Sequence, residues 1–273
     1  MKSLTVQKTF VYAVLILASL LAAFPLLWMV SVSLMPSAEA TAFPPRLLPQ
    51  HPTLANYSDL FAHERMGRFV LNSLLVSSLA TALSLAFNVT AGYAFAKLKF
   101  AGRQKLFRAL LAALVVPGQL TMLPLFFELK TLGLLNSYAG VVVPFMASLF
   151  GIFLVRQYAL GLPDEMLQAA RVDGASERQV FTRIVLPNLK PILVTLGVFT
   201  FLSAWNDFLW PLIVLSDDRT YTLPLAIASL SREHVQDAGQ VMAGATVTIA
   251  PVLLLFLALQ HQYVRGLLSG SVK

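Results

Sequence analysis

Six apolar runs, each long enough to cross a lipid bilayer as a helix, make up most of this chain. A helix rises about 1.5 Å per residue, so roughly 20 residues cross the hydrocarbon layer of a membrane. Backbone groups inside lipid must find hydrogen-bond partners within the helix, and no sheet is expected. The runs cover residues 10–34, 69–95, 107–129, 138–158, 191–215 and 239–263. We predict an all-α polytopic membrane protein with six transmembrane helices.

The composition agrees with this fold class. Apolar residues make up 57% of the chain and charged residues only 12%, a balance typical of polytopic membrane proteins. The net charge of +7 would suit a nucleic-acid partner, but the basic residues are separated by apolar runs and form no continuous patch. The absence of cysteine excludes disulfides, thiolate zinc sites and cysteine nucleophiles. We therefore expect membrane lipid, and no nucleic acid, around this protein.

The first run has one feature of a secretory signal peptide. Lys2 and Lys8 precede an apolar segment that contains the small residues Ala22 and Ala23. The apolar residues continue through 24–30, however, and the run is too long for the hydrophobic region of a signal peptide. We interpret it as a retained transmembrane span.

The positions of lysine and arginine predict the orientation of the spans. With the N-terminus inside the cell, most of the 20 Lys and Arg residues fall in cytoplasmic segments. The exceptions, which then lie outside, are Arg46, Arg65, Arg68, Lys130, Arg219 and Arg232. Because cytoplasmic loops carry the excess of positive charge, both termini are predicted to lie in the cytoplasm and the protein in the cytoplasmic (inner) membrane.

Polar segments between the runs divide the chain into parts. Residues 1–68 hold the first span and a proline-rich outer segment, in which residues 54–61 have the pattern of a short helix. Residues 69–264 form the transmembrane core, and residues 265–273 form a cytoplasmic tail. Within the core, residues 161–190 form a charged insert that the apolar spans do not require.

The insert carries the signals of two short helices. Pro163 suits a first helical turn, and Asp164-Glu165 favours the positive end of the helix dipole. Gly174 falls where a chain leaving a helix commonly adopts a left-handed backbone conformation. Ser176 and Gln179 match the capping box of a second helix. The sequence therefore predicts a helix, a turn at Gly174 and a second helix.

The second helix of the insert has an apolar stripe. Val180, Phe181, Ile184 and Val185 recur at helical spacing, and Pro187 marks the end of the helix. Periodicity alone leaves two interpretations open. In one, the helix pair lies in the headgroup layer with its stripe facing lipid. In the other, the pair is a docking element for a protein partner.

The insert resembles the cytoplasmic EAA loop of permease subunits of binding-protein-dependent ABC importers. The matching positions are Ala169-Ala170, Asp173-Gly174-Ala175, Phe181, Ile184 and Leu186-Pro187. Further positions resemble the carbohydrate-uptake branch and its maltose-permease G-type subunits, namely Asn56-Tyr57, Asn72-Ser73, Gly92-Tyr93-Ala94-Phe95-Ala96, Trp205-Asn206-Asp207-Phe208 and Val264-Arg265-Gly266-Leu267. The resemblance extends over nearly the whole chain.

The resemblance implies the transmembrane fold of type I ABC importers, with a second permease subunit beside this one. It also implies that the loop docks on a dimer of ATP-binding subunits and that an external solute-binding protein delivers a sugar. ATP and magnesium then bind to the ATPase, because this chain has no Gly-Lys pair and so no GxxxxGK[ST] loop. We expect no cofactor, metal or catalytic site on the chain itself. The coupling residues so implied are Glu165, Gln168, Ala169, Ala170, Asp173, Gly174, Phe181, Leu186 and Pro187.

Gln168 departs from the family pattern, which usually has Glu directly before the two alanines. Glu165 lies three residues earlier, and positions three apart share one face of a helix. We expect Glu165 to supply part of the missing charge, and the contact with the ATPase to be weaker or different.

The fifth run contains the candidate substrate path. On one continuous helix, Ser203, Asn206 and Trp210 would share a face that offers hydroxyl, amide and indole groups to a sugar. Asp207 would lie about 100° around the same helix. Alternatively, the cluster caps a kink or packs between subunits without touching substrate. Both interpretations stay open.

No arginine lies well inside a predicted span, which favours a neutral carbohydrate as the solute. An importer of glycerol phosphate or another small solute with the same architecture is the alternative. A secondary transporter would couple through intramembrane ionisable groups, and Asp207 is the one acid well placed for that. An intramembrane enzyme would need a catalytic constellation that these spans lack.

Overall fold

A computed structural model of the chain describes residues 2–233 and 237–269, with side chains described for 8–231 and 237–258. Within these ranges every regular element is helical, so the predicted all-α class is confirmed. The helices are α1 (Lys2–Ser33), α2 (Ser37–Ala40), α3 (Ala55–Ala62), α4 (Met66–Lys97), α5 (Arg103–Ala113), α6 (Gly118–Thr131), α7 (Tyr138–Val142), α8 (Leu149–Leu160), α9 (Asp164–Val172), α10 (Glu177–Asn188), α11 (Lys190–Trp205), α12 (Leu209–Val214), α13 (Leu223–Glu233) and α14 (Ala238–Ser269). Short 3₁₀ turns lie at Val143–Phe145 and Asp218–Thr220.

Four of the six predicted spans correspond to single stretches long and apolar enough to cross a membrane, one of which contains the short break before α8. They are Lys8–Ser33, Met66–Lys97, Tyr138–Leu160 and Ala238–Ala258. Two bent helix pairs also qualify, and six spans result if each pair counts as one. The first described side chain, Lys8, and the run that follows it form a single continuous helix through Ser33.

The third and fifth runs are not single helices, because each is divided into two. The run 107–129 is divided between α5 and α6, which are bent by 106° at a short break. Pro117 stands at the start of α6, where it lacks an N–H and restricts the residue before it. The run 191–215 is divided between α11 and α12, because residues 206–208 are not helical. The pair α10 and α11 is bent by 76°.

Contacts divide the chain into two compact units, residues 1–68 with 226–253 and residues 69–225 with 254–273. In the first unit, α3 is the short helix predicted in the outer segment. The Asn56 amide donates to the carbonyls of Ser33 and Met35, each at 2.8 Å, and the Tyr57 hydroxyl lies 2.7 Å from Ser33 Oγ. These bonds attach α3 to the end of α1.

In the second unit, α4 connects two polar ends of the fold. Near its start, Asn72 Nδ2 donates to the carbonyls of Arg219 and Tyr221, each at 2.9 Å. At its other end, Lys97 Nζ donates to the carbonyl of Leu162 at 2.6 Å. A helix of 32 residues is about 48 Å long, so the segment before α9 and the segment after α12 lie at opposite ends of a membrane-spanning helix. This is the separation that the charge distribution predicts.

Candidate coupling loop and translocation path

Helix α9 forms the first half of the insert and has a buried and an exposed face. It begins after Pro163, with Asp164 and Glu165 in its first turn, as predicted. Leu167 is only 1% exposed and packs in an apolar cluster with the partly buried Met166 and Ala170. The helix is therefore fixed to the protein by one side, while its opposite side faces outward.

The outward side of α9 is formed by residues at helical spacing. Glu165, Gln168, Ala169 and Val172 are all exposed and occupy positions i, i+3, i+4 and i+7. Glu165 and Gln168 thus share the exposed face, as expected. Val172 is 87% exposed, an unusual position for a branched apolar side chain, and sequence reasoning had not selected it. Its i+7 spacing from Glu165 was the signal that could have identified it.

The turn between the two helices has the geometry that Gly174 predicts. Gly174 has φ +84°, in the left-handed region. The Ala175 N–H donates to the Ala170 carbonyl at 3.0 Å and the Gly174 N–H to the Arg171 carbonyl at 3.1 Å, the two bonds of a Schellman motif. Asp173, the C-cap residue that follows α9, is exposed. These two backbone bonds close the turn, so part of what sets the angle between α9 and α10 is local.

Helix α10 begins with the predicted capping box. The Ser176 N–H donates to Gln179 Oε1 at 2.8 Å, and the Gln179 N–H donates to Ser176 Oγ at 3.4 Å. Residues Val180–Val185 form a π-helical segment, a widened turn that is often found at functional sites. The helix ends at Asn188, one residue after Pro187.

The apolar stripe of α10 faces protein and not lipid. Val180 and Val185 are 0% exposed and belong to the same cluster as Leu167, Val89 and Tyr93. Phe181, Ile184 and Leu186 are partly buried against that cluster. The interpretation in which the stripe lies in the headgroup layer is therefore wrong, because the stripe is already covered by α4, α8 and α9.

Polar contacts attach the insert to the end of α4. Lys97 Nζ lies 2.6 Å from Asp164 Oδ1, and the Lys97 side chain is only 6% exposed. This bond to Lys97 lowers the pKa of the Asp164 carboxyl below its ordinary value. The Tyr93 hydroxyl donates to Glu177, and the Tyr93 ring lies 5.1 Å from the Phe181 ring.

Glu177 also joins the two helices of the insert. Arg171 Nε and Nη2 donate to its two carboxylate oxygens at 3.1 and 3.2 Å, a bidentate pair. Glu177 therefore connects α9, through Arg171, with α4, through Tyr93. Sequence reasoning did not select Tyr93, Lys97, Arg171 or Glu177 as coupling residues. Tyr93 and Lys97 have partners far away in the sequence, whereas the Arg171–Glu177 pair spans only six residues and could have been found from its opposite charges across the turn.

The predicted coupling residues fall into two sets. One set is exposed and available to a partner: Glu165, Gln168, Ala169, Asp173, Gly174 and Pro187. The other set, Ala170, Phe181 and Leu186, is partly buried and packs the insert against the rest of the second unit.

The predicted substrate-path residues do not share one helical face. Helix α11 ends at Trp205, and the Asn206 amide donates back to the Leu202 carbonyl at 2.8 Å. Asp207 Oδ1 accepts from the Trp210 N–H at 3.3 Å and so caps the restart of the chain as α12. Short polar side chains compete with the backbone in this way and interrupt helices. The single face was predicted for a continuous helix and is wrong for an interrupted one.

Two cavities border this interruption. One, of about 310 Å³, is lined by Gly118, Gln119, Thr121, Met122, Leu125, Pro144, Phe145, Asp207 and Trp210. The other, of about 430 Å³, is lined by Ser84, Pro144, Phe145, Ala147, Ser148, Leu149, Phe150, Leu196, Phe199, Thr200 and Ser203. Ser203 thus borders one cavity and Asp207 the other, whereas Asn206 borders neither. Pro144 and Phe145 line both.

The walls of the cavities are held by buried polar bonds. Trp210 Nε1 donates to the Gly140 carbonyl at 3.1 Å, so the indole N–H is already used. In α4, Asn88 Nδ2 donates to Ser84 Oγ at 2.7 Å, and Asn88 Oδ1 accepts from the Ser148 N–H at 3.0 Å. These bonds hold the break before α8 against α4. No group of three or more metal-ligating side chains occurs in the described part of the chain.

Residues 88–268 match the family described as the binding-protein-dependent transport system inner membrane component. The arabinooligosaccharides transport system permease protein of Halalkalibacterium halodurans is 37% identical over 256 residues, or 93% of this chain and 92% of that protein. The lactose transport system permease protein of Rhizobium radiobacter is 35% identical over 266 residues, or 96% and 95%.

The fold is also similar to a solved structure. A chain in the crystal structure of a bacterial ABC transporter involved in the import of the acidic polysaccharide alginate superposes with a TM-score of 0.85. It is 22% identical and covers 96% of this chain and 98% of its own length, a likeness that concerns the fold. This chain belongs to the family of binding-protein-dependent transport system inner membrane components, the permease subunits of ABC importers.

Proposed function

We propose that this chain forms, with a second permease subunit, the path by which a sugar enters the cell, driven by ATP hydrolysis on separate subunits. A solute-binding protein delivers the sugar from outside. The observation that carries the proposal is the two-helix insert, which has one face exposed for docking and the other attached to the spanning helix α4. Two relatives are named for the transport of arabinooligosaccharides and of lactose, and these names support a carbohydrate as the transported solute.

The exposed face of α9 is the proposed docking surface for the ATPase. It offers a carboxylate at Glu165, an amide at Gln168 and apolar contact at Ala169 and Val172. The carboxylate lies one turn before the position that usually carries Glu in this family. We infer that Glu165 takes over the charged contact with the ATPase.

Movement of the docked loop reaches the spans through α4. When ATP closes the ATPase dimer, α9 and α10 move as one body, because the Gly174 turn and the Arg171–Glu177 pair fix the angle between them. Tyr93 and Lys97 transmit this movement to α4, where Ser84 lines the cavity of about 430 Å³ and Asn88 holds Ser148 in the wall of the same cavity. The cavities then open alternately to the two sides of the membrane.

The orientation follows the positive-inside distribution. Both termini and the insert face the cytoplasm, where the ATPase and its ATP and magnesium are located. The chain itself supplies no nucleotide site and acts as the transport subunit.

The two cavities favour an uncharged solute. Neither is lined by lysine or arginine, whereas Ser203, Ser84 and Thr200 supply hydroxyls and Gln119 an amide. A phosphate ester would face Asp207 without a cation among the described lining residues. The volumes are in the range of ligand sites in proteins, roughly 300–1,000 Å³. Carbohydrate therefore ranks above glycerol phosphate, the alternative.

Reconstitution tests the proposal. The chain is placed in proteoliposomes with its second permease subunit, its ATPase and its solute-binding protein, and uptake of labelled sugars and of glycerol 3-phosphate is measured with ATP hydrolysis. We expect sugar uptake only when all partners and ATP are present. Uptake driven by a proton or sodium gradient without ATP would contradict the proposal and favour a secondary transporter.

A further inference from the structure

The start of α5 and the segment before it form a basic cavity that transport does not use. The cavity measures about 450 Å³ and is lined by Lys99, Phe100, Gly102, Arg103, Gln104 and Lys105. Through Lys97 and its bond to Asp164, this segment lies at the same end of α4 as the insert. It is nevertheless separate from the exposed face of α9.

The cations of this cavity lack a protein counter-ion. None of Lys99, Arg103 and Lys105 has a carboxylate within salt-bridge distance among the described residues. No acidic residue occurs anywhere from 65 to 127. Asp164 is close enough for the charge of Lys99 to act on it, but its carboxylate is bonded to Lys97.

A fourth cation, Arg156, approaches from α8 and is held by one aromatic ring and one backbone carbonyl. The Arg156 guanidinium lies 4.0 Å from the centre of the Phe107 ring, and its Nε donates to the Phe95 carbonyl at 3.3 Å. Arg103 is close enough for its charge to act on Arg156. Arg103 Nη1 donates to the Leu98 carbonyl at 2.8 Å. Two guanidiniums are thus held near one another, and neither forms an ion pair with a carboxylate among the described residues.

One wall of the cavity is apolar and faces outward. Phe100 is 42% exposed and lies 5.9 Å from the Phe95 ring, while Leu106 beside the cavity is 58% exposed. Phe107 on the inner side of α5 is buried with Phe95 and Ile152. Cations next to exposed apolar side chains, on a helix whose other face is packed, are typical of sites in the headgroup layer.

We propose that this cavity binds the phosphate headgroup of an anionic phospholipid. Lys99, Arg103 and Lys105 contact the phosphate, and Phe100 and Leu106 contact the first segment of the acyl chains. The bound lipid supplies the negative charge that residues 65–127 lack, and it stabilises the start of α5. The occupant is a phospholipid and not a soluble anion, because one wall is apolar and open.

Fluorescence quenching in the assembled importer tests this site. Phe100→Trp places a fluorescent indole in the cavity. Its fluorescence is obtained by subtracting the fluorescence of the parent complex, measured in the same mixed micelles. We expect brominated phosphatidylglycerol to quench it about threefold more strongly than brominated phosphatidylcholine at equal mole fraction. With Lys99→Gln, Arg103→Gln and Lys105→Gln added, the two lipids should quench equally.

The matched control removes three exposed cations elsewhere, through Arg46→Gln, Lys130→Gln and Arg219→Gln, and should keep the preference. Equal quenching by both lipids in Phe100→Trp, or loss of the preference in the control, contradicts the proposal. Reversal by about 1 mM inorganic phosphate but not by chloride at equal ionic strength would identify a soluble phosphate as the ligand and overturn the lipid assignment. If the triple variant aggregates, Lys99→Gln alone carries the test.

Discussion

The insert and the region around residues 203–210, the two regions proposed to act in transport, differ in how their geometry arises. The insert is built from local signals, namely a proline start, a left-handed glycine and a capping box, and each gave the structure that it predicts. The sequence around residues 203–210 predicts a continuous apolar helix, but in the structure this helix is interrupted at Asn206 and Asp207. Capping and turn motifs act within a few residues, whereas a helix break inside a span depends on what the neighbouring helices offer to its polar groups.

The comparison between the insert and the region around residues 203–210 is tested first at Gly174, where the largest effect is expected. Gly174→Val forces a branched side chain into φ +84°, which costs about 1–3 kcal/mol. Because the turn sets the angle between α9 and α10, we expect sugar uptake to fall about tenfold or more at equal ATPase turnover. Uptake and ATP hydrolysis in proteoliposomes measure this effect.

Gly133→Val is the matched control, since Gly133 has φ +69° and, like Gly174, has open space where a Cβ would lie. It should lower the melting temperature similarly without uncoupling ATP hydrolysis from transport. An equal loss of coupling in both variants would show that strain alone is responsible and that the Gly174 turn has no special role.

The attachment of the insert to α4 is tested by removing one tyrosine hydroxyl at each end of α4. Tyr93→Phe loses the bond to Glu177, and bonds to charged groups contribute about 1.5–3 kcal/mol. We expect the number of sugars carried per ATP to fall about three- to tenfold, with assembly of the complex unchanged. Glu177→Gln should give a similar loss, and the double variant less than the sum of both effects.

Tyr138→Phe is the control at the other end, where the hydroxyl donates to Asn72 Oδ1 at 2.7 Å. It should leave the ratio of transport to hydrolysis unchanged. The same fall in that ratio for Tyr138→Phe would remove the distinction between the two ends of α4.

The path region is tested by Ser203→Ala. Ser203 is exposed and borders the cavity of about 430 Å³, so loss of its hydroxyl should raise the KM for sugar about two- to fivefold with little change in kcat. Thr195→Val, two turns away on α11 and outside both cavities, should change neither. An unchanged KM for Ser203→Ala would favour the interpretation in which this region only packs.

The smallest effect is expected from pH. The bond with Lys97 lowers the pKa of Asp164 in the folded protein, so the stabilisation is present above the unfolded pKa and is lost as pH falls through the folded value. Unfolding of the importer measured between about pH 6 and 3 should show a component that Lys97→Met removes. Asp164 is largely exposed, and a steep dependence on this pair would contradict the assignment.

Much of the insert could be predicted because its signals are local. Pro163, Gly174 and Ser176 each act through backbone groups one to four residues away, which a sequence displays directly. Tyr93 and Glu177 could not be paired in advance, since 84 residues separate them. The exposure of Val172 was equally hidden, because an apolar side chain is expected to be buried until its neighbours are known.

The sequence by itself determined that this chain crosses a membrane by helices, that residues 161–190 form a capped helix pair, and which family the pattern resembles. Only the tertiary structure decided which face of α9 stays exposed, that the stripe of α10 is covered, and that α4 holds the loop at Tyr93 and Lys97. It also decided that the third and fifth runs are interrupted. Hydrophobic length and capping are properties of consecutive residues, whereas burial and long-range hydrogen bonds depend on helices that the chain brings together only on folding.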